Sequence, residues 1–459
     1  MASLAQPAPR FSHWSQKLKK GALDHLPGED GIPVLGTTLR LVADPIGYGK
    51  HLHASYGTVF RSRNFGVRQV SLIGPEANEL LLFDRDKVFS SEQGWGPALD
   101  LLFPRGLMLM DFEAHRVDRK ALGIAFKPEP MRHYADALNR GIAEAVAGWA
   151  GPPAMPFYPA IKQLTLDLAA DSFLGMEWGP EAARVNRAFV DLLNGSIGVV
   201  RKPLPFTAMG RGVAGRNYLV ELFTAETLRR RNEGGGQDMF SQFANAKRED
   251  GSVLAVDQVV DHMIFLMLAA HDTITSGASS LLYFLLKHPE WQDKLRAEAM
   301  AVTGSKGWLA YEDLPRLELT EMAFKEAMRL IPPVPGVPRR ALKDFVFAGH
   351  RIPAGTQVGI SAQLTHRMPQ HWPDPDRFDP LRFTPEEVAK RHKYAWIPFG
   401  GGAHMCLGLH FAYMQVKILM AHLLTRYVLE LEPGYDPPWA PWPIPKPKDG
   451  MRVIFRPLA

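Results

Sequence analysis

Apolar residues recur at helical spacing through much of the chain between residues 113 and 330. The period is clear in "HYADALNRGIAEAVAGWA" and in "SSLLYFLLKHPEWQDKLRAEAMAV", where apolar side chains return every three or four positions. The most apolar stretch, "VVDHMIFLMLAAHDTITSGASSLLYFLL", is interrupted by Asp261, His262, His271 and Asp272. Because a membrane-spanning helix needs about 18 or more nearly uncharged residues, this stretch predicts a long buried helix with polar residues in its middle.

Strand patterns occupy shorter regions. Alternation and glycines in "GTVFRSRNFGVRQVSLIG" predict strands within about 55–75, and "PPVPGVPRRALKDFVFAGHRIPAGTQVGISA" predicts strands and turns within about 335–362, with further strands at the C-terminus. Prolines make "HRMPQHWPDPDRFDPLRF" an irregular segment without regular structure. The chain has no internal repeat and no Gly/Ser-rich or charged linker. We therefore predict a mainly α fold with a small β portion, in a single domain over residues 1–459.

Composition narrows the class of protein. Hydrophobic residues make up 46% of the 459 residues and charged residues 22%, which is enough for a large buried core. The net charge is +5, but the basic residues are scattered and lack interleaved aromatic residues, so nucleic-acid binding is not expected. The N-terminus has neither a signal-peptide pattern nor an anchor, and a single cysteine cannot form an intrachain disulfide. We expect a cytoplasmic monomer without a transmembrane segment.

The single cysteine, Cys406, lies in "WIPFGGGAHMCLGLHFAY", where a glycine-rich stretch turns into an apolar helix. A thiolate is a strong, soft metal ligand and an axial ligand of haem iron. Glycines allow backbone N–H groups to approach the sulfur, and the start of a helix favours the thiolate. On the cysteine alone, a small inert core residue or a nucleophile activated by His404 competes with metal ligation.

The whole segment is more specific than the cysteine. Phe399-x-x-Gly402-x-His404-x-Cys406-x-Gly408 resembles the haem-binding signature of the cytochrome P-450 superfamily, whose members more often have arginine where His404 stands. The resemblance extends over almost the whole chain and is to the soluble bacterial type. It implies the P-450 fold, with haem b between the long central helix and the helix after the cysteine, and Cys406 as the iron ligand. It also implies haem contacts from the loop residues Phe399, Gly400 and Gly408.

The central helix carries a second likeness, because "AAHDTI" resembles the oxygen-activation motif of the same family. The resemblance implies that Thr273 positions dioxygen and donates to it, and that Asp272 relays protons from solvent. Ala269 and Ala270 would leave room beside the haem. Ile274 departs from the hydroxyl residue that often follows the threonine, which removes one polar group from the site.

A third likeness concerns buried charges. Glu326 and Arg329 are three residues apart and therefore share a helix face. By resemblance they form a structural triad with Arg382 from the irregular segment, which braces the loop behind the haem and performs no chemistry.

The two haem propionates need cationic or hydrogen-bonding partners. His115 and Arg119 are four residues apart in "EAHRVDRKALGIAF" and so lie on one helix face. The resemblance places further partners at Arg339 and His404. Of the two neighbouring arginines, Arg339 is favoured by its spacing to Asp344 and Gly349, and Arg340 remains an alternative.

The resemblance implies a haem-thiolate monooxygenase that takes electrons from a separate ferredoxin or flavodoxin-like protein, docked on a basic surface on the cysteine side. Segments 92–112 and 185–215 are rich in Leu, Phe and Met, which favours an apolar substrate such as a terpenoid, steroid or fatty acid. A haem-thiolate peroxygenase or isomerase, a non-catalytic haem or ligand-binding protein and a haem-free helical protein are the alternatives. The predicted pocket residues are Trp95, Leu101, Leu102, Phe103, Met108, Val334 and Val337.

Overall fold

Helices dominate the computed structural model, which confirms the mainly α prediction. The structure describes residues 18–151, 154–177, 179–196, 198, 202–234, 236–304 and 307–458. The α-helices are α1 Thr38–Ala43, α2 Pro45–Tyr56, α3 Pro75–Phe83, α4 Ser91–Leu99, α5 Phe112–Leu122, α6 Pro128–Ala147, α7 Phe157–Leu174, α8 Pro180–Ser196, α9 Ala208–Glu233, α10 Met239–Ala244, α11 Val256–Lys287, α12 Pro289–Thr303, α13 Glu318–Leu330, α14 Ala362–Thr365, α15 Pro385–Ala389 and α16 Leu409–Leu424.

The long central helix α11 is the predicted buried helix with polar residues in its middle. Its 32 residues pack against α7, α9 and α13, so that most of its sides face protein. His262 and His271 are both buried within it, and Asp261 and Asp272 are half-buried. Within the described ranges, none of the helices combines the length and the apolar content needed to cross a bilayer.

The β portion consists of one larger sheet and three small ones. The strands are β1 Gly28–Glu29, β2 Val59–Asn64, β3 Val67–Leu72, β4 Phe89–Ser90, β5 Met155–Pro156, β6 Gly336–Ala341, β7 Phe345–Phe347, β8 His350–Ile352, β9 Gln357–Ser361, β10 Tyr427–Glu430, β11 Trp439–Ala440, β12 Lys446–Pro447 and β13 Arg452–Pro457. The six-stranded sheet has the order β1-β2-β3-β9-β6-β4, and the others are β10-β13-β5, β11-β12 and β7-β8.

The six-stranded sheet positions one strand for the site. Strands β2 and β3 form an antiparallel hairpin, β3 runs parallel to β9, and β9 pairs antiparallel with β6 so that Arg339 lies opposite Val358. Helix α4 packs against β6, since a Cβ on Gly94 would lie 2.6 Å from the Cα of Arg339. The sheet therefore holds β6 next to the segment that follows α4.

The proline-rich segment is irregular from Arg367 to Asp379, as predicted, but it ends in a short 3₁₀ helix over Pro380–Phe383. Asp379 caps this turn, because its carboxylate accepts the Leu381 N–H at 3.2 Å. Proline is favoured at the first position of a helix, where its missing N–H has no partner to lose. The prediction that the whole segment lacks regular structure is wrong for these four residues.

Candidate active site

The loop before α16 places Cys406 at the end of a tight backbone reversal. Gly400 and Gly402 have φ angles of 68° and 59°, which glycine adopts without steric cost. A Cβ on Gly402 would lie 2.1 Å from the carbonyl oxygen of Leu82, so no other residue fits between this loop and α3. The Cys406 N–H donates to the Phe399 carbonyl at 2.9 Å and closes the loop.

The Cys406 side chain is accessible from a cleft although protein atoms surround its sulfur on most sides. Burial raises the pKa of the thiol, while a hydrogen bond from the Gly408 N–H and the positive charge of Arg119 act to lower it. A bound metal ion deprotonates a coordinating thiol outright. The accessible sulfur, the N–H donor and the guanidinium together form an environment suited to a metal thiolate.

Four basic side chains converge beside this cysteine. The rings of His115 and His404 stack with their centroids 3.9 Å apart, and the charges of Arg119 and Arg339 act on both rings. Burial, reinforced by these charges, lowers the pKa of His115 to about 4 and that of His404 to about 2. Within the described ranges none of the four pairs with a carboxylate. The cluster therefore lacks the anionic partner that buried cations require.

The side chain of Arg339 is buried. It donates to the carbonyl of Pro338 at 2.9 Å, and burial lowers its pKa to about 10 despite the charges of Asp111 and Asp84. Arg340 is the next residue of β6, and successive strand residues point to opposite faces. Because the charge of Arg339 reaches His115 and His404, the geometry favours Arg339 over Arg340 as the predicted propionate partner.

A haem group fits these residues. The Nε2 atom of His115 is buried and has no hydrogen-bond partner in the part of the chain that the structure describes. The two carboxylates of a haem would supply acceptors for this atom and for the guanidinium groups of Arg119 and Arg339. The sulfur of Cys406 lies within electrostatic reach of Arg119 and would then face the iron.

The middle of α11 opens onto the same region. Ala269 is exposed and Thr273, one turn later, is half-buried, although the helix around them is largely buried. The Thr273 hydroxyl donates to the Ala269 carbonyl at 2.7 Å, a bond that commonly bends a helix. Ala270 borders a small cavity together with Phe411 and Gln415 of α16. Ala270 therefore lies where α11 approaches α16, and Ala269 and Thr273 share an accessible part of α11.

Asp272 lies on the side of α11 that faces α7. Its Oδ1 atom is 3.1 Å from Nδ1 of His271 and 3.5 Å from Nζ of Lys162, whose side chain is about one-third exposed. Burial acts to raise the pKa of Asp272, but the histidine and the lysine outweigh it and hold the pKa below its ordinary value. The carboxylate is therefore ionised at neutral pH and connected to the surface through Lys162. Sequence reasoning missed Lys162, because nothing in its own helix indicates a partner on α11.

The predicted triad is brought together in the core. Glu326 and Arg329 are fully buried and form a two-pronged ion pair, with Nε–Oε2 at 2.6 Å and Nη2–Oε1 at 2.8 Å. Nε of Arg382 lies 3.4 Å from Oε1 of Glu326. Arg329 also donates to the carbonyls of Pro375 and Arg377 in the proline-rich segment. The triad therefore fixes that segment against α13.

The predicted pocket residues divide into two groups. Trp95, Met108, Val334 and Val337 are half-buried and Leu101 is exposed, so these side chains present accessible surface. Leu102 and Phe103 do not, since each is 1% exposed, and Phe103 packs edge-on against Phe265. Arg216 holds the backbone here, because it donates to the Leu102 carbonyl and pairs with Asp261 of α11 at 2.9 Å. The role of Leu102 and Phe103 in lining the pocket stays a prediction. In the predicted segment 185–215, residues 197 and 199–201 lie outside the described residues.

Comparisons with known proteins agree with this geometry. The family profile described as Cytochrome P450 matches residues 214–453. A Mycobacterium tuberculosis protein named putative cytochrome P450 136 is 37% identical, and the alignment covers 94% of this chain and 88% of that protein. The tomato (Solanum lycopersicum) β-amyrin 28-monooxygenase is 30% identical, with 88% of this chain and 87% of that protein covered. The solved structure of retinoic acid-bound cyanobacterial CYP120A1 superimposes with a TM-score of 0.86 at 29% identity, covering 94% of this chain and 99% of that one.

The family profile, the identity over nearly the full length and the arrangement of the cysteine loop lead to the same result. Haem is the cofactor of this family. The chain belongs to the cytochrome P450 family and is a haem-dependent monooxygenase of that family.

Proposed function

We propose that this P450 inserts one oxygen atom of dioxygen into a C–H bond of an apolar, isoprenoid-type substrate, a terpenoid, steroid or similar lipid, using electrons from a separate ferredoxin or flavodoxin-like protein. The observation that carries the proposal is the position of the accessible Cys406 beside a basic cluster without carboxylate partners. Such a cluster can bind the two haem propionates, and such a cysteine can ligate the haem iron.

The bound haem supplies the activation of dioxygen. The chain supplies ligands and orientation: Cys406 would hold the iron, and His115, Arg119, Arg339 and His404 would hold the propionates. Phe399, Gly400 and Gly408 would form the loop around the sulfur. The Gly408 N–H, which already lies at the sulfur, would reduce the electron donation of the thiolate.

Protons would reach the site through α11. The ammonium group of Lys162 is partly exposed and can exchange protons with solvent, and its Nζ lies 3.5 Å from Oδ1 of Asp272. Asp272 would pass a proton towards the haem side of α11, where the Thr273 hydroxyl can change its acceptor from the Ala269 carbonyl to the reacting oxygen.

The substrate class is supported by the lining of the site and by the relatives. Apolar side chains that are half-buried or exposed come from α4 (Trp95), the segment after it (Leu101 and Met108), the segment before β6 (Val334) and β6 itself (Val337). One relative is named for its action on β-amyrin, and the matching solved structure contains retinoic acid. Both compounds are large, apolar isoprenoids, which is the chemistry that this surface suits.

A separate electron donor is supported by the surface behind the cysteine loop. An open groove there is bordered by the exposed residues Met405 and His410, and its lining has four cations, Arg132, Lys325, Lys393 and Lys417, against two carboxylates, Glu312 and Glu321. Glu312 pairs with Arg132 and Glu321 with Lys325, so the excess of positive charge is modest. Electrons entering here would travel a short distance to the sulfur. A mixed basic and apolar surface favours an acidic carrier protein.

The test uses the haem-loaded protein. Reduction under carbon monoxide should give the red-shifted band of a thiolate complex, and Cys406→Ser should abolish it, while the matched exposed neighbour Met405→Ser should keep it. An unchanged band in Cys406→Ser would remove Cys406 as the ligand. A panel of terpenoids, steroids and fatty acids is then screened for a change in haem spin state. The hits are incubated with a ferredoxin or a flavodoxin and its reductase, or with peroxide alone. Turnover with peroxide alone would favour a peroxygenase and contradict the need for a donor.

A further inference from the structure

His366 occupies a buried position between α13 and the segment that leads to the cysteine loop. Its Nε2 atom is 2.9 Å from the backbone nitrogen of Ile397, and its Nδ1 atom is 3.3 Å from the carbonyl oxygen of Arg329. Because a backbone N–H can only donate and a carbonyl can only accept, the ring must accept at Nε2 and donate at Nδ1. The contacts therefore fix both the neutral state of His366 and its tautomer.

A second contact joins His366 to Arg329. The Nη1 group of Arg329 donates to the carbonyl oxygen of His366 at 2.9 Å, in the opposite direction to the bond from the imidazole. Arg329 is itself held by the fully buried Glu326. The backbone and the imidazole of His366 are therefore both bonded to a residue of the buried ion pair.

From His366, hydrogen bonds continue to the cysteine. The Ile397 N–H donates to Nε2 of His366, and the Ile397 carbonyl accepts the Gly400 N–H at 3.0 Å. The Phe399 carbonyl then accepts the Cys406 N–H at 2.9 Å. These bonds form an unbroken path from the ion pair to the residue that carries the sulfur.

One other side-chain bond holds the approach to the loop. The indole Nε1 of Trp396 donates to the Lys325 carbonyl of α13 at 3.2 Å. It fixes the side chain of Trp396, whereas His366 fixes the main chain at the next residue. In the part of the chain that the structure describes, the imidazole of His366 is the partner of the Ile397 N–H.

We propose that His366 is a positioning residue for the thiolate ligand, which transmits the fixed geometry of Glu326 and Arg329 to the backbone of the Cys406 loop. The inference rests on the proposed role of Cys406 as iron ligand and adds the residue that holds this ligand in place. Removing the imidazole leaves the Ile397 N–H and the Arg329 carbonyl buried without partners, at a cost of about 1–3 kcal/mol each. The loop can regain a partner for Ile397 by shifting, and such a shift moves the sulfur relative to the iron.

Two variants of His366 and one matched control separate positioning from stability. His366→Leu keeps much of the volume but removes both hydrogen bonds, and His366→Gln restores an amide that can donate and accept. His422→Leu is the control, because His422 is equally buried and hydrogen-bonded, to Asn139 and Arg426, but lies on α16 away from the loop. The readouts on haem-loaded proteins are the thiolate-type carbon monoxide band, the ferric/ferrous reduction potential and unfolding in urea.

We expect His366→Leu and His422→Leu to lose comparable stability to urea. Only His366→Leu should lose most of the red-shifted band and shift the reduction potential, and His366→Gln should recover both. A wild-type band and potential in His366→Leu would overturn the proposal, as would equal changes in His422→Leu. If His366→Leu does not fold, His366→Asn with its shorter amide takes its place: a lost band and a shifted potential in His366→Asn, with both recovered in His366→Gln, support the positioning role, and a wild-type band and potential in His366→Asn contradict it. Absence of the thiolate band in the wild-type protein would instead contradict the proposed function itself.

Discussion

The imidazole rings of His115 and His404 lie stacked with their centroids 3.9 Å apart and their planes at 31°. One ring comes from α5 and the other from the loop before Cys406, so the stack joins the helix of Arg119 to the cysteine loop. Both rings are neutral at physiological pH, because burial and the charges of the nearby arginines hold their pKa values far below the ordinary value. Neutral rings can donate one N–H each to a propionate without adding to the repulsion between Arg119 and Arg339.

Arg339 and Arg340 should differ in their contribution to haem binding. Arg339→Ala removes a charge-assisted hydrogen bond to a propionate worth about 2 kcal/mol, which corresponds to a roughly thirtyfold loss of haem affinity. Arg340→Ala leaves the basic cluster intact and should change the affinity little. Transfer of haem to apomyoglobin, followed by absorbance, measures the rate at which each variant loses its haem. Faster loss from Arg340→Ala than from Arg339→Ala would reverse the assignment.

Thr273 and Thr275 provide a matched pair on α11. Thr273 is half-buried on the open part of the helix, whereas the hydroxyl of Thr275 is fully buried and bonded to the His271 carbonyl and to Thr165. Thr273→Ala should therefore raise the peroxide released per electron pair, since the hydroxyl that directs protons is lost. Thr275→Ala should reduce stability by about 1 kcal/mol through its lost hydrogen bonds and leave coupling unchanged.

The ratio of product formed to reductant consumed, with a peroxide assay, checks the threonine pair. Fully coupled turnover in Thr273→Ala would contradict its role in proton delivery. Increased peroxide in both variants would mean that α11 as a whole, and not the Thr273 hydroxyl, controls coupling.

The pattern of apolar and polar residues was sufficient to predict a strand or helix where the contacts that determine it are local in the sequence. Alternation punctuated by glycines predicted the strands β2 and β3, and a long apolar stretch with four polar interruptions predicted α11. The family resemblance, and not periodicity, selected Cys406, Asp272, Thr273 and Glu326 as site residues.

Contacts between segments that are distant in the chain could not be predicted from the sequence. Lys162 faces Asp272 from another helix, and Arg216 of α9 donates to the Leu102 carbonyl, beside a leucine side chain that is buried. His366 is part of an irregular segment, and only the folded chain shows that both of its ring nitrogens are used. Such pairings depend on tertiary packing, which residue spacing along one chain does not encode.

Glu326 should be essential for stability and not for chemistry. Glu326→Gln keeps the shape but leaves the fully buried Arg329 without a counter-charge, and breaking a buried pair in this way costs about 3–5 kcal/mol. Glu312 pairs with Arg132 at the exposed surface, so Glu312→Gln should unfold like wild type. Urea unfolding monitored by circular dichroism measures the difference. Equal stability of the two variants would show that the buried pair is dispensable.

The dependence of the free energy of unfolding on pH should reflect the protonation of two buried histidines, His366 and His422, that lie outside the basic cluster. Burial, reinforced by nearby arginines, lowers the pKa of His366 to about 3 and that of His422 to about 4. His422 is locked as a neutral ring, since Nδ1 accepts from Arg426 and Nε2 donates to Asn139. Unfolding restores an ordinary pKa of about 6.5. The unfolded chain therefore binds more protons than the folded one between these values.

The sign of the effect follows directly. Each neutral buried histidine contributes stability that is fully present above about pH 6.5 and is lost as the pH falls towards the folded pKa, with a slope of up to about 1.4 kcal/mol per pH unit. His422→Gln should lower the free energy of unfolding at pH 7.5, because the fit of the amide is poorer, and should also flatten the decline between pH 6.5 and 4.5. His51→Gln, at an exposed position, should leave the slope as in wild type. Urea unfolding at a series of pH values separates the two effects, because an offset at high pH reports lost contacts and the slope reports the proton. An unchanged slope in His422→Gln would mean that the folded state takes up the proton at His422 as readily as the unfolded chain does.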